Sequence, residues 1–273
     1  MEDSEAGRGE ENLPGDGALV GRATPNEDAG DWSAGLIYPT IYHKSDLPGD
    51  DRPEYLRGNM NLLALDTETN GLAWEDGDFP FIATASDYDR NYVFQLVEHP
   101  DNNGDDDVEG DRFALREAIM QADGLIFHNA SFDVHMLNAA GIMTMEELLA
   151  KPIFDTNILA RLVLDEWDFR LKHLATKYID PDAAQYETRI RECMLEMGII
   201  RKLDQKDVGS GAYYEVWKAY RKEMEEYALY DTRYTYDLYH MLRSKATTDQ
   251  LRCFDLERAV QPTIIHMEHR GGG

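Results

Sequence analysis

The stretch Met60-Asn-Leu-Leu-Ala-Leu-Asp66 limits the fold more than any other part of the chain. Its apolar residues are nearly continuous, the pattern of a strand buried on both faces, and such a strand needs helices covering both sides of its sheet. Phe79–Ser86 and Asn91–Val97 read as two further strands, and the short link Asp87-Tyr-Asp-Arg90 suits an antiparallel hairpin. Gly124–His128 and Ile153–Asp155 supply a fourth and a fifth, and Gly35–Tyr42 adds an edge strand. Spacing predicts helices over Arg112–Gln121, Ser131–Ala140, Asn157–Leu164, Leu171–Tyr178, Glu187–Met197 and Tyr213–Leu242. Antiparallel strands, then strand–helix alternation, then helices describe an α/β mixed sheet flanked by helices.

Three short segments carry the chemistry. The first strand ends in Asp66-Thr67-Glu68, followed by the turn Thr-Asn-Gly71. Side chains at i and i+2 of a strand share a face, so Asp66 and Glu68 project together. For an isolated Asp-x-Glu, a strand simply reaching solvent is the ordinary explanation. His128-Asn129-Ala-Ser131-Phe-Asp133 follows another short strand, with Ser131 placed to cap the next helix. Acidic residues at a helix start are commonplace. In Glu226-Tyr227-Ala-Leu-Tyr-Asp231, Tyr227 and Asp231 stack on one helical face, while Tyr230, Tyr234 and Tyr236 pack inward. Four carboxylates in one pocket would repel, and burying them unpaired is costly. Divalent cations with oxygen ligands resolve this, and two of them roughly 3.5–4 Å apart stabilise both oxygens of a phosphodiester displacement. The acidic loop His99–Asp111 is a different matter, because its carboxylates do not match EF-hand spacing around Gly104.

In order and separation the three segments resemble the motifs of the DEDD exonuclease superfamily, whose fold is ribonuclease-H-like. The resemblance runs from Asn59 to about Leu242. Glu226 stands where the sister subclass places histidine, so the tyrosine subclass is indicated. Asp155–Leu162, Leu171–Tyr178 and Leu256–Gly271 further resemble the proofreading domain of family-A DNA polymerases and the helix leading out of it. The resemblance implies a ribonuclease-H-like mixed five-stranded sheet and a 3′-5′ exonuclease using two Mg2+ or Mn2+ ions. By the same likeness Asp66, Glu68 and Asp231 hold the first ion and Asp66 with Asp133 the second. Tyr227 orients the attacking water, being a poor base at an ordinary pKa near 10. Thr67, Leu72 and Asn129 position the terminal nucleotide. The implied partners are a single-stranded DNA 3′ end and a family-A polymerase domain. Two other readings stand beside this one: a ribonuclease-D-like exonuclease acting on RNA, and an inactive exonuclease fold kept as a structural module of a polymerase.

The charge bears on partners. A formal net charge of −26 over 273 residues is unusual for a protein that grips phosphates unaided. Acidic residues gather in the first thirty-odd positions and in His99–Asp111, whereas Arg161, Arg170, Lys172, Lys177, Arg189, Arg191, Arg201 and Lys202 lie in the helical half, placed to line a strand's path. Residues 1–58 have the composition of a disordered acidic tail, 59–245 form the exonuclease domain, and 246–273 a helix resembling the start of a polymerase domain. Cys193 and Cys253 make no metal-like spacing and are expected as buried or half-buried free thiols of a reducing compartment. Met1–Gly15 lacks a signal-peptide pattern and no apolar run reaches membrane-spanning length, so no membrane association and a cytoplasmic location in a bacterial or phage-infected cell are expected.

Overall fold

The computed structural model of the chain describes the strand Thr40–His43 and residues 60–102, 104 and 106–271. Strands β1 (Thr40–His43), β2 (Leu62–Thr69), β3 (Pro80–Ser86), β4 (Arg90–Gln95), β5 (Gly124–Phe127) and β6 (Ile153–Asp155) form one sheet. Their order is β1-β4-β3-β2-β5-β6. The β1–β4, β4–β3 and β3–β2 pairs are antiparallel, while β2–β5 and β5–β6 are parallel. The mixed five-stranded sheet expected from the sequence is therefore present, and the anticipated edge strand is β1. The rest of the proposed tail lies outside the described residues.

β2 is central and buried on both faces, as its apolar run requires. Leu63 and Leu65 pack with Leu115, Ile119, Val134 and Leu137 from α1 (Val108–Gln121) and α2 (Ala130–Ala139). Leu62 and Ala64 pack on the opposite side with Leu159, Tyr236, Tyr239 and Leu242. These come from α4 (Thr156–Val163) and the long α8 (Arg221–Lys245), which crosses β2, β3 and β5. By strand alternation Asp66 and Glu68 belong to the α8 side, and Thr67 to the α2 side.

Tyr213–Leu242 is not one helix. It is α7 (Ala212–Ala219) and α8, broken at Tyr220, whose backbone leaves the helical region at φ −135° and ψ 57°. The break lets α7 bury Trp217 against Phe81, with ring centroids 5.1 Å apart, while α8 follows the sheet. A short helix α3 (Met145–Leu149) is held by a Thr144–Glu147 capping box. α5 (Leu171–Tyr178) and α6 (Ala184–Glu196) pack on α8, and α9 (Thr248–His269) rests on α2, α4 and β6. No described helix is long and apolar enough to cross a membrane.

In the acidic loop, Asp107 caps α1, Asp106 pairs with Arg221 at 2.9 Å and Asp111 accepts the Gln95 N–H at 2.7 Å. These carboxylates tie the loop to β4 and α8. Cys193 is buried as expected, whereas Cys253 is exposed, because α9 turns that face away from the sheet.

Candidate active site

The C-terminal end of β2 supplies the first two carboxylates. Asp66 pairs in register with Thr84 of β3 and Glu68 with Ile82, and a bulge follows at Glu68/Thr69. The chain then turns through Asn70 and Gly71, the Phe79 N–H donating to Asn70 Oδ1 at 2.6 Å. A Cβ at Gly71 would run into the Asp78 carboxylate, so glycine is needed there for close approach.

Asp133 enters from the other side of the sheet, in the first turn of α2. Its Oδ1 accepts both the Thr67 N–H at 2.9 Å and the Thr67 hydroxyl at 2.7 Å. Thr67 thus ties the second motif to the first. α2 itself begins on Asn129, the sole non-glycine residue with positive φ among those described, at 81°. Ser131 does not cap this helix: its hydroxyl donates to Glu268 of α9. Asp155, at the end of β6, accepts the free N–H groups of Asn129 at 3.1 Å and Ala130 at 2.8 Å instead. A neighbouring parallel strand ends beside the helix start, so its terminal carboxylate reaches those donors better than a side chain already within the helix.

Tyr227 and Asp231 lie on the face of α8 turned toward β2, and Lys172 of α5 joins them. Its ammonium donates to Asp231 Oδ1 and sits 4.3 Å from the centroid of the Tyr227 ring. Tyr213 flanks Tyr227, ring centroids 6.0 Å apart.

The electrostatics follow from packing Asp66, Glu68 and Asp133 together. Burial pushes the Asp66 carboxyl up to about 7, with Lys172 opposing. Glu68 is raised well above the usual carboxylate range, first by burial and then by the charge of Asp66. Asp133 is raised likewise, by burial and Asp66, against the two bonds from Thr67 that favour its charged form. The Tyr227 phenol is held far above its ordinary value by burial and by Glu68. Burial lowers Lys172 to about 8, although Glu68, Glu187 and Asp66 favour its charge. A donor set of acids forced toward neutrality suits divalent cations, which would relieve both desolvation and repulsion. As the side chains stand, however, no three His, Cys, Asp or Glu residues among those described are gathered closely enough to hold an ion. Asp231 is engaged by Lys172 and Asp133 by Thr67.

The profile of the 3′-5′ exonuclease family matches residues 55–247, well over half of the chain. The chain belongs to that family. The DNA polymerase of Mycobacterium phage D29 is 27% identical over 204 residues, which is 71% of this chain and 30% of the phage protein. That of Mycobacterium phage L5 is 28% identical over 192 residues, 66% of this chain and 29% of the relative. The chain therefore spans about a third of the length of these polymerases. Among solved structures, an apo nuclease aligns at a TM-score of 0.49 and 22% identity, over 81% of this chain and 90% of that one. Brucella melitensis NrnC bound to pGG aligns at 0.48 and 21%, over 82% and 90%. Family membership makes the chain a 3′-5′ exonuclease domain of the polymerase type.

The remaining family-derived positions are scattered around this centre. Leu72 is 81% exposed and Asn129 is exposed. Asn129 borders a cavity of about 350 Å3 that is also lined by Trp74, Phe132, His135 and Glu268. Trp74 stacks on His135 at 4.2 Å and on His269 at 5.7 Å, so the end of α9 forms one wall. Three participants escaped the sequence reading. Lys172 stood among basic residues assigned to a strand's path; it lies beside the apolar positions Leu171, Leu174, Ala175 and Tyr178 of α5, and that offset from an apolar stripe was its one signal. The sequence places Asp155 at the end of a strand and in a family-like segment, with nothing to mark it as the acceptor for the start of α2. Trp74 lies in a 3-10 turn, Trp74–Asp76, that no periodicity announces.

Proposed function

We propose that the chain removes nucleotides one at a time from the 3′ end of single-stranded DNA, as the proofreading part of a family-A DNA polymerase. The observation that supports this most directly is that Asp66, Glu68, Asp133 and Tyr227 act on one another electrostatically, with Asp133 bonded to Thr67 between the first two and Lys172 linking Asp231 to them. Two Mg2+ or Mn2+ ions are the cofactors this reading requires; bound, they would neutralise the charge that develops on the phosphodiester. Asp66, Glu68 and Asp231 would hold one and Asp66 with Asp133 the other. Tyr227 keeps its proton at neutral pH and so orients the attacking water by a hydrogen bond rather than removing its proton. Asn129 and Leu72 are exposed and available to the terminal nucleotide.

DNA is favoured over RNA because the curated relatives are DNA polymerases. On this reading residues 59–245 are the exonuclease domain, α9 leads toward a polymerase domain, and the setting is the cytoplasm of a bacterial or phage-infected cell. One observation favours the inactive-module reading: Asp231 is held by Lys172, and no three metal-ligating side chains are gathered among the described residues. End-labelled single strands of DNA and RNA, incubated with Mg2+, Mn2+ or EDTA, separate these cases. A cation-dependent ladder shortening from the 3′ end of DNA, lost in Asp66→Ala, is expected. Preference for RNA would select the ribonuclease reading, and no Mn2+ binding by folded protein would select the inactive module.

A further inference from the structure

Lys172 is the cation that sits among the carboxylates, and its surroundings say what it does. Its side chain is only 16% exposed. The groups facing it come from every neighbouring element: Asp231 and Tyr227 from α8, Asp66 and Glu68 from β2, and Glu187 from α6. An ammonium in this position offsets the repulsion that Asp66, Glu68 and Asp133 exert on one another. Its positive charge, set against Asp231 Oδ1, also opposes the arrival of a metal ion at the same carboxylate.

We propose that Lys172 is the resident counter-cation of this site, holding Asp231 in the metal-free protein and turning away to Glu187 when a divalent cation is taken up. The inference rests on the metal-dependent reading above and adds to it a competitor built into the chain. Two features of the structure support it: the Lys172–Asp231 bond, and the lack of any gathered set of three metal-ligating side chains among the described residues while that bond is made. Glu187 offers the ammonium a second carboxylate: it is half-buried on the adjoining helix, where it also pairs with Arg191 at 3.7 Å, and its charge acts on Lys172. Lys172 is thus a positioning residue. It keeps the acids apart and folded when no metal is present, and it sets the cation concentration at which the site fills.

The test is Mn2+ binding to the full chain by titration calorimetry, together with thermal unfolding in EDTA and in Mn2+. Lys172→Met should bind Mn2+ more tightly, on the order of tenfold, the coupling of neighbouring charges in contact. It should also unfold at lower temperature than wild type in EDTA and show the larger rise when Mn2+ is added. Glu187→Gln should weaken Mn2+ binding in the wild-type background and have no effect in the Lys172→Met background. That second comparison uses a folded parent and would not respond to a purely structural lysine. Equal or weaker Mn2+ binding by Lys172→Met, or an equal effect of Glu187→Gln in both backgrounds, overturns the proposal while leaving the metal reading intact. If neither wild type nor Lys172→Met takes Mn2+, the metal reading fails and this inference with it.

Discussion

Thr67 donates twice to one oxygen of Asp133, from its backbone at 2.9 Å and from its hydroxyl at 2.7 Å. Both bonds favour the charged carboxylate, against burial and the neighbouring Asp66 that favour the neutral one. The hydroxyl hydrogen is therefore committed to Asp133, and the hydroxyl can meet a nucleotide only as an acceptor. Thr67→Val keeps the shape and the backbone bond and removes only the hydroxyl. It should cost about 1 kcal/mol of stability and lower the Mn2+-dependent cleavage rate roughly 10- to 100-fold, as loss of groups supporting metal ligands does. Thr67→Ser should restore most of the rate. Unchanged cleavage by folded Thr67→Val would show that the tether is not needed. The carboxylates themselves were legible because period 2 and period 3.6 dictate which side chains share a face. The tether was not, since a side chain on the opposite face of β2 reaches Asp133 only once α2 is docked.

A single buried carboxylate, Asp155, joins several elements. It accepts from the N–H groups of Asn129 and Ala130 at the start of α2, from Asn157 in α4 at 2.8 Å and from the Gln261 side chain of α9 at 3.0 Å. Asp155→Ala would strand these donors in a buried place, at a cost on the order of 3 kcal/mol, and denaturant unfolding should show it; Asp155→Asn, which keeps an acceptor, should cost less. Asn129→Gly, by contrast, should unfold close to wild type, because glycine accepts φ 81° without strain. The docking of α1 on β4 carries a pH signature. Burial raises Asp111 to about 7, so between its ordinary value of 3.8 and about 7 the folded chain holds the proton more tightly than the unfolded one. Stability at this site is therefore greatest in acid and declines as pH rises from about 4 to about 7. Asp111→Asn, able still to accept from Gln95, should gain melting temperature relative to wild type steadily across that range. A constant difference from pH 4 to 8 would contradict the assignment. Strands and amphipathic helices are legible from periodicity, and the start of α3 from its Thr144-x-x-Glu147 box. The break at Tyr220 could not, because Lys218-Ala-Tyr-Arg221 contains neither proline nor glycine and only the burial of Trp217 demands the turn.

At the scale of the whole molecule the question is what grips the strand. The basic residues of the helical half were expected to line its path. Arg170, Lys172, Lys177, Arg189, Arg191 and Lys202 instead pair with carboxylates of the chain itself. The more exposed of these pairs, those of Arg189, Arg191 and Lys202, are weak and can be exchanged for phosphates, but each exchange frees a carboxylate that then repels the same strand. With a net charge of −26 behind them, these cations yield little net attraction. On the proposed function, a polymerase domain would have to supply the missing grip. Binding of the chain alone to a fluorescent single strand, measured from low to physiological salt, should be no tighter than about 1 µM at the upper end. The plot of log affinity against log salt should be shallow, with a slope of about −1 to −2, since each neutralised phosphate on a single strand contributes about −0.7. A steep slope with nanomolar affinity at physiological salt would mean that the paired cations open to the strand after all, and that the chain holds its substrate without a partner.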